Sequence, residues 1–321
     1  MGSKPVVRPP RLRTGSRVAL LAPAGPLGER DDLARGVDLC RALGYEPLPG
    51  RHALDRHGYL AGDDEARLVD LNAALRDPAI DAIWCLRGGY GMTRILDGVD
   101  IDAFADRPRP VIGYSDITAL LLALHRRTGV VTFHGPMSRA PLTSFSRTHF
   151  ERMLAEAAPP GRLGRLAAPS GVLVPRSPRI VTIRGGTAEG PLIGGNLSLL
   201  LALAGTRHFP DLDGAILFIE DVGEDLYRVD RLLAQLRMLG ALERLAGVIV
   251  GQFTDMKCGA GDGGALAFDE VLETYFGPLG IPVAAGFPIG HVDDQWTMPI
   301  GVRARLDGGA GEVEVLEGAV G

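Results

Sequence analysis

The chain has 321 residues, 46% of them hydrophobic and 23% charged, with a formal net charge of −5. This is ordinary globular composition, long enough for one large core or two modest ones, and two domains are expected. A mildly negative balance gives no electrostatic reason to bind nucleic acid or an anionic membrane, so a small or peptide-like substrate is the expectation.

The N-terminal stretch "MGSKPVVRPPRLRTGSRVALLAPAG" is basic, but its apolar run Val18–Ala22 is cut off by Pro23. A signal-peptide core needs roughly 7 to 15 apolar residues, so this run reads as a first buried strand. No stretch reaches the roughly 18 apolar residues of a membrane helix, and a cytoplasmic location is expected. From Arg17 to about Ala158, short β-rich runs alternate with longer helical ones, the pattern of βαβ units. "RVALLAP", "DAIWCLRGG", "PVIGY" and "GVVTFHG" read as strands. "RDDLARGVDLCRALG", closed by Gly44, and "DITALLLALHRRTG", closed by Gly129, read as helices. The expected fold class is α/β, with an N-terminal domain over residues 14–158 built on a doubly wound, mainly parallel sheet. Residues 159–195 are rich in Pro and Gly and contain no aromatic residue, a composition suited to a linker. Residues 196–321 read as a smaller α/β domain rich in strands and turns. Its elements are a buried helix at "NLSLLLALAG", a strand at "AILFIED", an amphipathic helix at "RVDRLLAQLRMLGALERL", and strands at "AGVIVGQF", "PVAAGF" and "MPIGVRARLD".

Cys40, Cys85 and Cys258 are odd in number and far apart, so reduced thiols are expected, with Cys85 in the core and Cys258 in a loop. No H-E-x-x-H, EF-hand or Walker pattern is present. A dinucleotide fingerprint fails because Arg94 stands where the third glycine after Gly89 and Gly91 belongs. No metal and no cofactor are therefore expected.

Ligands of open α/β sheets bind beyond the carboxyl ends of the strands, and three such ends carry polar residues. In "RPVIGYSDITALLLALHRRTG", Ser115 suits the N-cap of a buried helix, with Asp116 complementing the helix dipole. It equally suits a nucleophile on a strand–turn–helix mount, where the helix start stabilises negative charge on substrate oxygen. The G-x-S-x-G form is absent, Ile117 holding its last position. In "CLRGGYGMTRIL" the paired glycines allow either a tight turn or a close approach of backbone amides to an oxyanion. In "AILFIEDVGEDLYRVDR", Glu220 ends an apolar run, either as a salt-bridged edge residue or as the partner of an imidazole. His291, in "GFPIGHVDDQWTMPIG", is the best-placed base, and His134, in "VTFHGPM", its rival. With no cofactor motif, a serine, an imidazole and a carboxylate point to covalent acyl transfer.

Six blocks in this order, "CLRGGYG", "VIGYSDIT", "TFHGPM", "IGGNLSLL", "FIEDVGE" and "GFPIGHVDDQWTMPIG", resemble the LD-carboxypeptidase family of serine peptidases, family S66. The resemblance runs from about Thr14 to Leu306. It implies a catalytic triad of Ser115, Glu220 and His291, split between the two domains, and an oxyanion hole formed by the backbone amides of Gly88 and Asp116. It further implies a cytoplasmic homodimer without a cofactor, releasing D-alanine from murein tetrapeptides during peptidoglycan recycling. A relative within the family inactivates aminoacyl-adenylate analogues of the microcin C type. Such a binder is expected to stack its base on an aromatic side chain, and the 159–195 segment offers none, which favours the murein peptide. An exopeptidase must also hold a terminal carboxylate, for which Arg87, Arg94 and Arg228 are candidates. Gly89 could let backbone approach the substrate, and Asn196 could bond its backbone or simply cap a helix. A non-catalytic small-molecule binding protein is the alternative from another class, and it would be expected to show a broken triad.

Overall fold

The computed structural model describes residues 4–166, 179–256 and 266–321. Cys258, expected in a loop, lies outside them, whereas Cys40 and Cys85 are buried free thiols. No helix among the described residues is long and apolar enough to cross a membrane.

The first half alternates as expected. Strands β1 (Arg17–Leu21), β2 (Glu46–Pro49), β3 (Ala82–Cys85), β4 (Val111–Gly113) and β5 (Thr132–His134) form a parallel sheet in the order β2-β1-β3-β4-β5. The helices between them are α1 (Arg30–Ala42), α2 (Asp64–Arg76), the short α3 (Met92–Ile95) and α4 (Ile101–Asp106), and α5 (Thr118–Thr128), with α6 (Ser144–Leu154) after β5. In this doubly wound order the chain reverses its direction of winding between β1 and β3, the kind of point at whose carboxyl end α/β sheets place their ligands. Helix α5 is the most deeply buried of these helices: its first seven residues, Thr118–Leu124, are all buried. Its end follows the expected rule, since Gly129 takes the left-handed conformation at φ 78°.

The second sheet departs from the expected organisation. Strands β6 (Gly161–Arg162), β7 (Val181–Arg184) and all but the last residue of β8 (Thr187–Asn196) fall within residues 159–195, and all three belong to it. What is described of this segment is therefore not a free linker, and β8 lies in the middle of the sheet, parallel to β9 (Ile216–Val222) and antiparallel to a later strand. The glycine content that suggested a connection has another cause. A Cβ at Gly194 would lie 1.8 Å from the Phe218 carbonyl oxygen, so β8 and β9 can approach this closely only without a side chain there. Helices α7 (Leu197–Ala202), α8 (Leu226–Met238) and α9 (Phe268–Phe276) flank strands β10 (Gly247–Thr254) and β11 (Val283–Ala285), which extend the parallel part β8-β9-β10-β11.

The "MPIGVRARLD" segment is two strands rather than one, and they belong to different sheets. β12 (Met298–Ile300) pairs antiparallel with β5 in the first sheet, whereas β13 (Arg303–Asp307) pairs with β8 and with β14 (Glu312–Val315) in the second. The carboxyl-terminal third thus closes the edge of the amino-terminal sheet. Both sheets share one continuous apolar core, running from Val18 and Trp84 to Phe218 and Leu306.

Candidate active site

The turn after β4 bears strain. Ser115 has φ 60°, one of two non-glycine residues with positive φ among those described. A left-handed backbone costs an L-residue roughly 1–2 kcal/mol and persists only where surrounding structure enforces it. Ser115 opens a 3₁₀ turn over Ser115–Ile117, which leads into α5, and no side chain caps either element. The N-cap role left open for this serine is thereby excluded: its hydroxyl is half-buried and not committed to the helix end.

Two contacts enforce the turn. A Cβ at Gly88, in the loop after β3, would lie 2.9 Å from Ser115 Cβ, 3.1 Å from Ser115 Oγ and 3.3 Å from the Asp116 amide nitrogen. The absence of a side chain therefore lets the Gly88 backbone pack against Ser115 and that amide more closely than any larger residue could. The buried Asp116 carboxylate accepts the Met92 N–H at 2.8 Å, tying the turn to the end of the glycine loop. Burial pushes the Asp116 carboxyl up to about 6, against the lowering effect of that hydrogen bond and of Arg67. The glycine loop is held in turn by the loop after β1, because Gly25 N–H donates to the Gly88 carbonyl at 2.8 Å. Arg67, fully buried on α2, donates to the carbonyls of Pro23 (2.7 Å) and Gly91 (2.9 Å) and so braces both loops. Sequence reasoning missed Arg67, which stands in an ordinary-looking helix with no motif around it.

The facing wall comes from the second sheet. β9 carries Glu220, with no exposed surface, and the loop before β12 brings His291, 71 residues later, so that its Nδ1 lies 2.8 Å from Glu220 Oε2. Burial opposes ionisation of Glu220, but the two imidazoles beside it, His134 and His291, outweigh it and hold the carboxyl down at about 2. An ionised carboxylate accepts, so His291 donates through Nδ1 and its Nε2 is left as the basic nitrogen. Tyr114 links the walls: its ring meets the His291 ring edge-on at 4.8 Å, one residue before Ser115. The arrangement presents a hydroxyl, an imidazole oriented by a carboxylate, and amide hydrogens at a helix start, which together suit acyl transfer.

The remaining candidates separate clearly. Asn196 is buried as the N-cap of α7, accepting from Leu199 N–H (3.2 Å) and donating to Asp221 (2.8 Å), so helix capping explains it. Arg94 forms a two-pronged pair with Asp64, and Arg228 faces its own acidic neighbours Glu224 and Asp225, both on the surface. Gly89 has φ 103° and backs onto Gly25. Arg87 is half-buried and donates to the Pro26 carbonyl; burial and the nearby charges of Arg139 and Arg56 make its proton easier to lose than usual. Arg139, on the loop after β5, lies 3.7 Å from Asp32, and its charge reaches the Tyr114 hydroxyl.

The amino-terminal model of the LD-carboxypeptidase family matches residues 18–135, and its carboxyl-terminal model matches residues 189–306. The chain belongs to the LD-carboxypeptidase family. It is 38% identical to the murein tetrapeptide carboxypeptidase of Pseudomonas aeruginosa over 303 residues, 91% of this chain and 93% of that one. Its fold matches the crystal structure of muramoyltetrapeptide carboxypeptidase from Oxalobacter formigenes with a TM-score of 0.77 at 33% identity, covering 94% of this chain and 98% of the other. It also matches the microcin C7 self-immunity protein MccF in complex with aspartyl sulfamoyl adenosine, with a TM-score of 0.88 at 25% identity, over 98% of this chain and all of that one. Membership of the LD-carboxypeptidase family makes the chain a peptidase, and the mixed α/β fold with two sheets is the fold of these neighbours.

Proposed function

We propose that this LD-carboxypeptidase family member is a serine peptidase that releases the terminal D-alanine of murein tetrapeptides by cleaving an L,D-peptide bond, as a cytoplasmic homodimer in peptidoglycan recycling. The observation that carries the serine mechanism is the strained Ser115 turn, whose side chain and following amide pack directly against Gly88. In this reading Ser115 Oγ attacks the scissile carbonyl and His291 Nε2 takes its proton. Glu220 holds the imidazole in the required tautomer and stabilises its charged form. The amides of Gly88 and Asp116 receive the developing oxyanion. The imidazolium then protonates the departing D-alanine amine, and water, activated by the same imidazole, releases the acyl group from Ser115. Arg87, on the loop after β3, is the arginine for the terminal carboxylate, because among the described residues it pairs with a backbone carbonyl, whereas Arg94, Arg139 and Arg228 already face carboxylates of their own.

The murein substrate is favoured by the 38% identity to a murein tetrapeptide carboxypeptidase. The test is incubation with the tetrapeptide beside an aminoacyl sulfamoyl adenosine, scoring D-alanine release and sulfamoyl adenosine release. Tetrapeptide cleavage is expected, with Ser115→Ala slower by on the order of 10⁴ and normally folded. A near-normal rate for Ser115→Ala would overturn the serine mechanism, and cleavage of the nucleoside compound alone would overturn the substrate assignment.

A further inference from the structure

The His291 contact uses one oxygen of Glu220. The other, Oε1, is buried without a hydrogen-bond partner among the described residues. Facing it at 3.6 Å is Nε2 of His134, a side chain with no exposed surface whose two ring nitrogens are likewise unpartnered. Leaving such groups unpaired away from water costs about 1–3 kcal/mol each, more when charged. A shift of about half an ångström would close the gap to ordinary hydrogen-bond length.

The surroundings favour that closure over any other pairing. The His134 ring is held edge-on by Phe218 at 5.5 Å and Tyr114 at 5.8 Å, both apolar faces. Its backbone is fixed from two sides, by β4 and by β12. Glu220 is held on the opposite side by Gly290, where a Cβ would fall 2.4 Å from Oε2. The carboxylate thus stands between two imidazoles, one half-buried with its ring against Tyr114 and the other wholly enclosed. Full burial removes His134 from contact with any substrate, which disposes of it as a rival base.

We infer that His134 is a positioning residue, donating through Nε2–H to Glu220 Oε1 so that Oε2 is aimed at His291, and that the site works as a line of four groups, Ser115–His291–Glu220–His134. This rests on the serine mechanism proposed above and adds a member to it. A carboxylate held at both oxygens cannot rotate, so the imidazole it orients keeps its angle through both proton transfers. Without the second donor, Glu220 would be free to turn or to draw in water, and the step most dependent on His291 would slow.

The test compares His134→Gln, His134→Asn and His134→Phe with wild type and Ser115→Ala, on the murein tetrapeptide. The glutamine amide nitrogen can reach the place of Nε2, whereas the asparagine nitrogen corresponds to Nδ1 and phenylalanine has no donor. His134→Asn and His134→Phe are expected to lose about 10- to 100-fold in kcat, the scale of a charge-assisted hydrogen bond, with KM changed less than threefold. His134→Gln is expected to recover to within about fivefold of wild type. A volume-filling histidine predicts the reverse order, with Phe tolerated better than Gln. Full kcat in His134→Asn, or glutamine no better than asparagine, overturns the inference, and the Gln–Asn pair carries the test if His134→Phe does not fold. If Ser115→Ala also retains activity, the serine mechanism fails instead, so the two failures are distinguishable.

Discussion

The wall that carries Ser115 and the wall that carries Glu220 and His291 hold their polar groups by different means. On the first, backbone does the work: a positive φ at Ser115, an absent side chain at Gly88, and loop carbonyls and amides tied by Gly25, Arg67 and Asp116. On the second, a carboxylate with no exposed surface is held by two imidazoles and by strand β9. The first wall presents its hydroxyl through strain, the second orients its base through buried charge. Steric enforcement tolerates no added atoms but little depends on protonation; a buried ionic group tolerates some change of shape but none of charge.

The largest effect should come from breaking the charged wall without changing its shape. Glu220→Gln keeps the volume but presents an amide that can favour the wrong imidazole tautomer. A fall in kcat of on the order of 10³–10⁴ is expected, with KM little altered. Steady-state kinetics on the tetrapeptide check this, and a loss under tenfold would show that the Glu220–His291 pair is only structural. The strained wall should break sterically. Gly88→Ala sets a methyl group 2.9 Å from Ser115 Cβ and against the Asp116 amide. About 10²-fold loss in kcat is expected, the scale of one lost oxyanion donor, with folding weakened by only about 1–3 kcal/mol. Unchanged kcat in a folded Gly88→Ala protein would remove the close approach of Gly88 from the mechanism.

The same division explains what was legible in the sequence. The Ser115 turn is built from local pattern, a short apolar run, a polar residue and a buried helix, so its place at the end of β4 could be read directly. Its φ could not, because the strain is imposed by Gly88 from another loop. Glu220 could be located at a strand end and His291 in a loop between two strands, but nothing in either stretch pairs them. Their contact across 71 residues was legible only through resemblance to a family. The role of residues 159–195 was misjudged because glycine marks both loose connections and strands packed too closely for side chains, and Gly194 is of the second kind. The exchange of β12 into the first sheet was invisible for a similar reason. "MPI" and "RARLD" both suit strands, and only the break at Gly301–Val302 sends them to different sheets.

The smallest expected effect is on stability, and it separates the walls by the sign of their pH dependence. Asp116 has its carboxyl raised from 3.8 to about 6, chiefly by burial, so the folded state keeps a proton that the unfolded chain has lost. Stability then falls as pH rises from about 4 to about 6 and stays lower above, by on the order of 2–3 kcal/mol. Glu220 is shifted the other way, from 4.5 to about 2, because the two histidines overcome the cost of burial. Its contribution is complete above about pH 4.5 and is lost as pH falls towards 2. Asp116→Asn keeps an oxygen to accept the Met92 N–H but removes the charge, so urea denaturation should show a gain of about 2 kcal/mol at pH 7 and almost none at pH 4. The decline between pH 4 and 6 should flatten, while the acid loss below 4.5 attributed to Glu220 persists. A uniform loss of stability at every pH would mean that the ionised Asp116 carboxylate is itself what holds the glycine loop, making the strained wall as dependent on buried charge as the one it faces.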